Sequence, residues 1–208
     1  MLALVVGDLE TKKIGERVNI ITEPAMMNEV QNQLMDLGGF LAKTEAYLTP
    51  YVWGDYNILI LPSSMPDNIA GMENPLLTIA APEMVTGSTV TVAMHELAHS
   101  WFGNLITCKS WEDFWLNESF TVFTERKMTS KIFGKSAAKW EAFSGNAYLV
   151  NDLSKFGDKN PYSALKLHLP QGTNPELSQS NVQYEKGYQF LTFLEDTVGE
   201  NNFQKMLR

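Results

Sequence analysis

The chain is poor in cysteine, in long apolar runs and in positive charge. Cys108 is its only cysteine, so no disulfide can form within the chain, and we expect a reducing, cytoplasmic location. No apolar run approaches the about 20 residues needed to span a bilayer. The formal net charge is −8, which removes any electrostatic attraction to nucleic acid or to an anionic membrane surface. We therefore expect neither partner.

Histidine is scarce too, and its placement is informative. Of the three histidines, two lie in His95-Glu96-Leu97-Ala98-His99. Residues four apart share one face of a helix, so both imidazoles would point at one spot, which is typical of a zinc site. Glu96 lies between them, where it can act as general base on a zinc-activated water. The alternative is that both histidines are packed core residues of an apolar helix.

A downstream carboxylate favours the metal interpretation. Glu118, in Trp115-Leu116-Asn117-Glu118, follows His99 after the eighteen residues 100–117. That gap leaves room for a loop and the start of a second helix, which can return a third ligand to the histidine pair. A catalytic zinc usually has three protein ligands and one open position. We predict one Zn²⁺ per chain, bound by His95, His99 and Glu118.

These motifs resemble those of the gluzincin zinc aminopeptidases, the family of aminopeptidase N and the leukotriene hydrolase. Gly71-Met72-Glu73-Asn74 is similar to the exopeptidase signature of that family, and Tyr184-Glu185-Lys186-Gly187 to the segment with its catalytic tyrosine. Pro75 after the first motif points to the leukotriene-hydrolase-like branch. The resemblance extends over nearly the whole chain and covers the catalytic-domain portion of the family.

The resemblance implies a function and the roles of several residues. The chain would be a zinc aminopeptidase that hydrolyses the N-terminal bond of peptides with a free N-terminus. Glu73 would bind the substrate's α-amino group, with the backbone of Gly71 and Met72 along the substrate. The hydroxyl of Tyr184 would stabilise the oxyanion. From the residues alone, Glu73 is an ordinary surface carboxylate and Tyr184 a packing residue at the start of a helix.

Two alternatives remain open at this point. Hydrolysis of a fatty-acid epoxide, as in the leukotriene hydrolase, would need an Asp and a Tyr where this chain has Glu176 and Gln179, and an amide cannot replace a phenol. The chain could also be a zinc-binding but inactive fragment. By resemblance, residues 1–20 are the end of an N-terminal β-domain with a crossover, and 21–208 a C-terminally incomplete catalytic domain. The absent domains, or self-association through exposed apolar patches, would then supply partners.

The fold class expected is α+β, of the thermolysin-like zincin type, with strands mainly in the first half and helices in the second. Apolar runs predict strands at residues 2–6, 18–21, 56–61 and 76–80. Periodicity predicts helices from Pro24, over 40–48, around the histidine motif, and over 117–133, 135–153 and 184–197. Ser88 or Thr89 could cap the zinc helix. Glu125 lies two turns after Glu118 on a similar helix face, so it could hold a zinc ligand in place without binding the metal itself. Alternatively it could form a salt bridge with Arg126 or Lys127.

Overall fold

The computed structural model describes residues 3–62, 64, 70–82, 89–157, 159–174 and 179–208. The chain divides into two units, Met1–Asn104 and Leu105–Arg208. The proposed cap Ser88 lies outside the described residues, and so does the side chain of Thr89. No helix within the described ranges is long and apolar enough to cross a bilayer.

The first unit contains a mixed sheet, which has five strands over the described residues. The strands are β1 (Glu10–Gly15), β2 (Val18–Thr22), β3 (Tyr56–Ile60), β4 (Gly71–Met72) and β5 (Thr78–Ala80), in the spatial order β1-β2-β3-β5-β4. The pairs β2/β3 and β3/β5 are parallel, and both outer pairs are antiparallel. Ile20 lies opposite Ile58, and Ile58 opposite Thr78. The central strand β3 is almost continuously apolar, as expected of a parallel strand buried on both faces.

Three helices of the first unit pack on this sheet. They are α1 (Met27–Leu34), α2 (Leu37–Tyr47) and α3 (Thr89–Ala98). Helix α1 buries Met27, Val30 and Leu34, the three- and four-residue spacing of one helix face. Helix α2 approaches the end of β1 through two glycines: a Cβ on Gly15 would lie 3.2 Å from the Cα of Gly38. Gly38 lies within α2, and because it has no side chain it permits this close backbone contact.

The second unit is helical. A 3₁₀ turn (Trp111–Asp113) precedes α4 (Trp115–Ile132), which is followed by α5 (Lys135–Phe156), a π-helical turn (Val182–Lys186), α6 (Gly187–Val198) and α7 (Glu200–Leu207). Phe123 of α4, Leu191 of α6 and Phe203 of α7 form a buried apolar cluster, with the rings of Phe123 and Phe203 5.2 Å apart. The predicted α+β order, strands first and helices later, is confirmed.

One predicted strand is wrong. Residues 3–6 form no strand, and the polar segment that follows them contains β1 instead. Strand β1 is an edge strand with one neighbour and mostly exposed or half-exposed side chains, so it carries no apolar pattern. The predicted strands at 18–21 and 56–61 are confirmed as β2 and β3, and 76–80 is confirmed over Thr78–Ala80.

Candidate metal centre

Helix α3 presents the two histidines of the motif. His95 lies in its last turn, and His99 directly follows its last residue, with the His99 N–H still donating to the His95 carbonyl at 3.2 Å. Burial of the apolar residues Met94 and Leu97 fixes the helix in the core of the first unit. The helical turn between the histidines therefore stays intact, and both rings emerge on one side.

The two imidazoles have the geometry of a metal-binding pair. Their Nε2 atoms lie 3.1 Å apart, close to the separation of about 3.3 Å for two nitrogens at about 2.0–2.1 Å from a tetrahedral zinc. The Nδ1 atom of His99 lies 2.8 Å from the carbonyl oxygen of Phe102. Since a carbonyl only accepts, Nδ1 carries the proton and the lone pair of Nε2 is left for a metal. The two Nε2 atoms are therefore suitable ligands for zinc.

The segment after His99 is held by the loop between α2 and β3. The indole N–H of Trp101 donates to the carbonyl of Thr49 at 3.0 Å, and the indole N–H of Trp53 donates to the carbonyl of Ser100 at 3.0 Å. Gly103 has φ 128°, a conformation that favours glycine, and the N–H of Asn104 returns to the His99 carbonyl at 3.0 Å. These bonds fix the backbone that carries the second histidine.

Glu96 is buried, and its carboxylate lies against the backbone of Gly71 in β4. A Cβ on Gly71 would lie 2.1 Å from Oε1 and 2.6 Å from Cδ of Glu96. Residue 71 must therefore be glycine for the Glu96 carboxylate to occupy its position. This glycine was predicted as a substrate contact from resemblance, and its proximity to Glu96 was not foreseen.

Glu73 completes a polar cluster in the first unit. The side-chain NH₂ of Asn104 donates to the Glu73 carbonyl at 2.8 Å, which ties the segment after β4 to the segment after α3. One carboxylate oxygen of Glu73, one carboxylate oxygen of Glu96 and one ring nitrogen of His99 all lie within 4.8 Å of one another. Met72, between Gly71 and Glu73, is exposed. The first unit thus brings the two predicted histidine ligands, the predicted base and the predicted amine-binding carboxylate together.

The second unit holds Glu118 in the first turn of α4. Its side chain is buried, with only 4% exposed, and its N–H donates to the Phe114 carbonyl at 3.2 Å. An acidic side chain is favoured there by the helix dipole, and a buried carboxylate needs a cation or donors. The preceding Asn117 is buried as well, and its side-chain oxygen accepts from the Cys108 N–H at 3.0 Å. Asn117 is therefore a structural residue of this turn.

Tyr184 lies in the π-helical turn of the second unit, where it is half-exposed between two buried neighbours, Gln183 and Glu185. Its ring meets that of Phe114 edge to face, with centroids 6.2 Å apart. Turns of this kind are rare and are frequently found at functional sites. Sequence reasoning predicted an ordinary helix start here and missed the π turn.

A buried ion pair behind Tyr184 was also missed. Arg126 of α4 donates two hydrogen bonds to the Glu185 carboxylate, at 2.7 and 2.6 Å, and both side chains are more than nine-tenths buried. Burial opposes the charged form of Arg126, but the hydrogen bonds to Glu185 together with the negative charges of Glu185 and Glu125 outweigh it, and the pKa of the guanidinium is raised. The sequence places these residues 59 positions apart, so no local pattern signals the pair.

Known proteins with similar sequences match this chain over its whole length. Residues 35–208 match the Peptidase family M1 domain. Mouse aminopeptidase B is 37% identical over 212 residues, which cover 100% of this chain and 32% of that protein. Leucine aminopeptidase 2 of Aspergillus terreus is 40% identical over 210 residues, covering 100% of this chain and 34% of that protein. The structure of yeast LTA4 hydrolase in complex with bestatin superposes with a TM-score of 0.90 at 37% identity, covering 97% of this chain and 33% of that one.

The chain thus spans about a third of the length of these relatives. The structural match confirms the predicted zincin fold, and the family match confirms the resemblance recognised in the three motifs. The chain belongs to peptidase family M1.

Proposed function

We propose that this chain carries the catalytic centre of a zinc-dependent aminopeptidase. The observation that carries the proposal is the cluster in the first unit, where Glu73, Glu96 and His99 bring their ligand atoms within 4.8 Å of one another. Two carboxylates so close together repel unless a cation lies near them. The α-ammonium group of a peptide is such a cation, and it is present only at the N-terminus of the substrate.

The distance from Glu73 to Glu96 supports cleavage of the first peptide bond. In any amino acid the nitrogen and the carbonyl carbon are about 2.5 Å apart, because two bonds of about 1.5 Å meet at about 111°. A substrate whose ammonium group binds Glu73 would therefore present its first carbonyl beside Glu96. The second carbonyl would lie one residue, about 3.5 Å, further along. The backbone of Gly71 and Met72 is proposed to run along the substrate.

The zinc ligands are proposed to be His95, His99 and Glu118, with one ion per chain. Support comes from the Nε2 separation of 3.1 Å, from the order of the motifs along the chain, and from membership of a family of metallopeptidases. Zinc supplies Lewis acidity toward the attacking water and the scissile carbonyl when it is bound. Glu73, Glu96 and His99 could also hold a metal by themselves, but a pair of imidazoles is the better match to zinc.

Glu96 is proposed to take the proton of the attacking water and to pass it to the leaving amine. Its burial beside Gly71 holds the carboxylate in one place, which such a transfer needs. Tyr184 is proposed to donate its hydroxyl hydrogen to the oxyanion of the tetrahedral intermediate. Its half-exposed position between buried neighbours leaves it accessible to a substrate.

Epoxide hydrolysis is not favoured. One relative at 39% identity is a leukotriene A-4 hydrolase of Xenopus laevis, and that name applies to that protein. In this chain Gln179 occupies the position where a phenol is expected, and an amide has no acidic hydroxyl. Glu176, the other position of interest, lies outside the described residues.

The predictions of a cytoplasmic location and of a domain boundary near residue 20 stay predictions.

The test compares substrates with and without a free α-amino group. Zinc-loaded protein should hydrolyse a panel of aminoacyl arylamides and leave their N-acetylated forms intact. Glu73→Gln should raise KM and lower kcat/KM on the free-amine substrates by at least about tenfold, because a charged hydrogen bond is lost. Glu10→Gln, a matched change at an exposed glutamate of β1, should leave both constants unchanged.

Equal hydrolysis of the acetylated substrates would contradict the role of Glu73 in selecting the N-terminus. Zinc-loaded protein that cleaves no arylamide at all would favour the alternative of a zinc-binding fragment that needs further domains for activity.

A further inference from the structure

The π-helical turn that carries Tyr184 is joined to helix α4 by a hydrogen bond between the neighbours of two proposed active-site residues. The hydroxyl of Ser119 donates to the Gln183 carbonyl at 2.6 Å, and both residues are fully buried. Ser119 directly follows Glu118 in the sequence, and Gln183 directly precedes Tyr184. A single bond thus links the backbone beside the proposed zinc ligand to the backbone beside the proposed oxyanion donor.

Close packing fixes this bond. Gly187 lies so near to Ser119 that a Cβ on the glycine would overlap the serine hydroxyl, at 1.6 Å from Oγ. Any side chain at 187 would therefore displace the hydroxyl or push the turn away from α4. The contact leaves no room for the turn to shift toward α4.

A second attachment lies on the other side of Tyr184. Glu185 receives the two hydrogen bonds from Arg126, two helical turns beyond Ser119 on the same helix. Gly145 of α5 lies against the Glu185 carboxylate, where a Cβ would come within 2.2 Å of Oε1. Arg126 also stacks over the ring of Tyr188, 4.3 Å from its centroid. Both residues that flank Tyr184 are thus bonded to α4.

In a π turn each backbone bond reaches one residue further along the chain than in an α-helix, and such turns are rare. We propose that Ser119, with support from Arg126, is a positioning residue: by binding the Gln183 carbonyl it holds the turn so that the Tyr184 hydroxyl keeps a fixed place relative to Glu118. This inference rests on the proposed roles of Glu118 and Tyr184. Ser119 itself contacts neither substrate nor metal in this proposal and acts through Tyr184.

The first test is a double-mutant cycle in the full chain. Tyr184→Phe should lower kcat by about 10²–10³-fold, as loss of one oxyanion donor does. Ser119→Ala should lower kcat by about 10–100-fold with KM little changed, because the donor is displaced rather than removed. In the Tyr184→Phe background, Ser119→Ala should have less than about a twofold further effect.

The matched control is Thr124→Val. Thr124 is a fully buried residue of α4 whose hydroxyl has no hydrogen-bond partner among the described residues. This near-isosteric change should leave kcat unchanged in both backgrounds. Additive effects of Ser119→Ala and Tyr184→Phe, or an unchanged kcat in Ser119→Ala, would overturn the proposal.

A second test does not depend on activity. In protein labelled with fluorotyrosine, the fluorine resonance of Tyr184 can be assigned among the seven tyrosines by its loss in Tyr184→Phe. Ser119→Ala should shift or broaden that resonance, and Thr124→Val should not. An unmoved resonance would refute the positioning role even in a fully active enzyme, whereas a shifted resonance in an inactive chain would refute only the proposed function. Should Ser119→Ala fail to fold, Ser119→Cys, which keeps a weaker donor, takes its place.

Discussion

Replacing Arg126 by methionine should destabilise the protein far more than removing an exposed charge. Arg126→Met leaves the carboxylate of Glu185 without its two hydrogen bonds of 2.6 and 2.7 Å, in a site where both side chains are less than a tenth exposed. Gly145 covers one side of that carboxylate, so water cannot readily replace the guanidinium there. Breaking a buried ion pair by removing one partner costs about 3–5 kcal/mol.

Urea denaturation followed by tryptophan fluorescence measures this loss as a decrease in the free energy of unfolding. The matched control is Lys166→Met, because the Lys166 ammonium group lies 2.9 Å from Asp113 while the side chain is 58% exposed. Removal of this exposed pair should cost little stability, because solvent screens the attraction between the two charges. The double change Arg126→Met/Glu185→Leu should recover much of the loss, because no unpaired charge remains buried. A loss in Arg126→Met as small as in Lys166→Met would show that the Glu185 carboxylate does not need its buried partner.

Three further predictions concern single side chains. Gly71→Ala should lower kcat at least about tenfold at unchanged zinc content, because the new methyl group displaces the Glu96 carboxylate; steady-state kinetics and metal analysis check this. Burial raises the pKa of the Cys108 thiol, so its alkylation rate should reach half its maximum at a higher pH than that of a free cysteine, which an iodoacetamide pH series measures. Burial raises the pKa of Tyr51 to about 12. The unfolded chain therefore ionises this residue first, and stability relative to Tyr51→Phe should fall as the pH rises from about 10 to about 12; urea unfolding at several pH values follows it.

The elements that carry the proposed site residues could be predicted because their signals are local. The histidine motif lies on one apolar helix, and α3 has the expected position with both imidazoles on one side. The helix that begins near Glu118 was predicted from residue 117, and α4 begins at Trp115 with Glu118 in its first turn. Buried strands such as β3 were found because burial on both faces requires a continuous apolar run.

The features that sequence reasoning missed depend on partners far apart in the chain. The π turn is attached through Ser119 and Arg126, which lie some sixty positions before their acceptors. The contact between Gly71 and Glu96 likewise joins two separate motifs, and nothing in either motif alone indicates it. Strand β1 was missed because an exposed edge strand does not show the alternation of apolar and polar residues that predicts a strand.

The proposed role of Glu96 as the base of a zinc aminopeptidase can be tested by one paired measurement. Zinc content and turnover of an aminoacyl arylamide are determined on the same samples of wild type and Glu96→Gln. We expect one zinc per chain in both proteins and turnover that is lower in the variant by at least about 10²-fold. Wild-type protein without zinc, or a Glu96→Gln variant that keeps wild-type turnover at full zinc content, would show that Glu96 is not the base of a zinc enzyme.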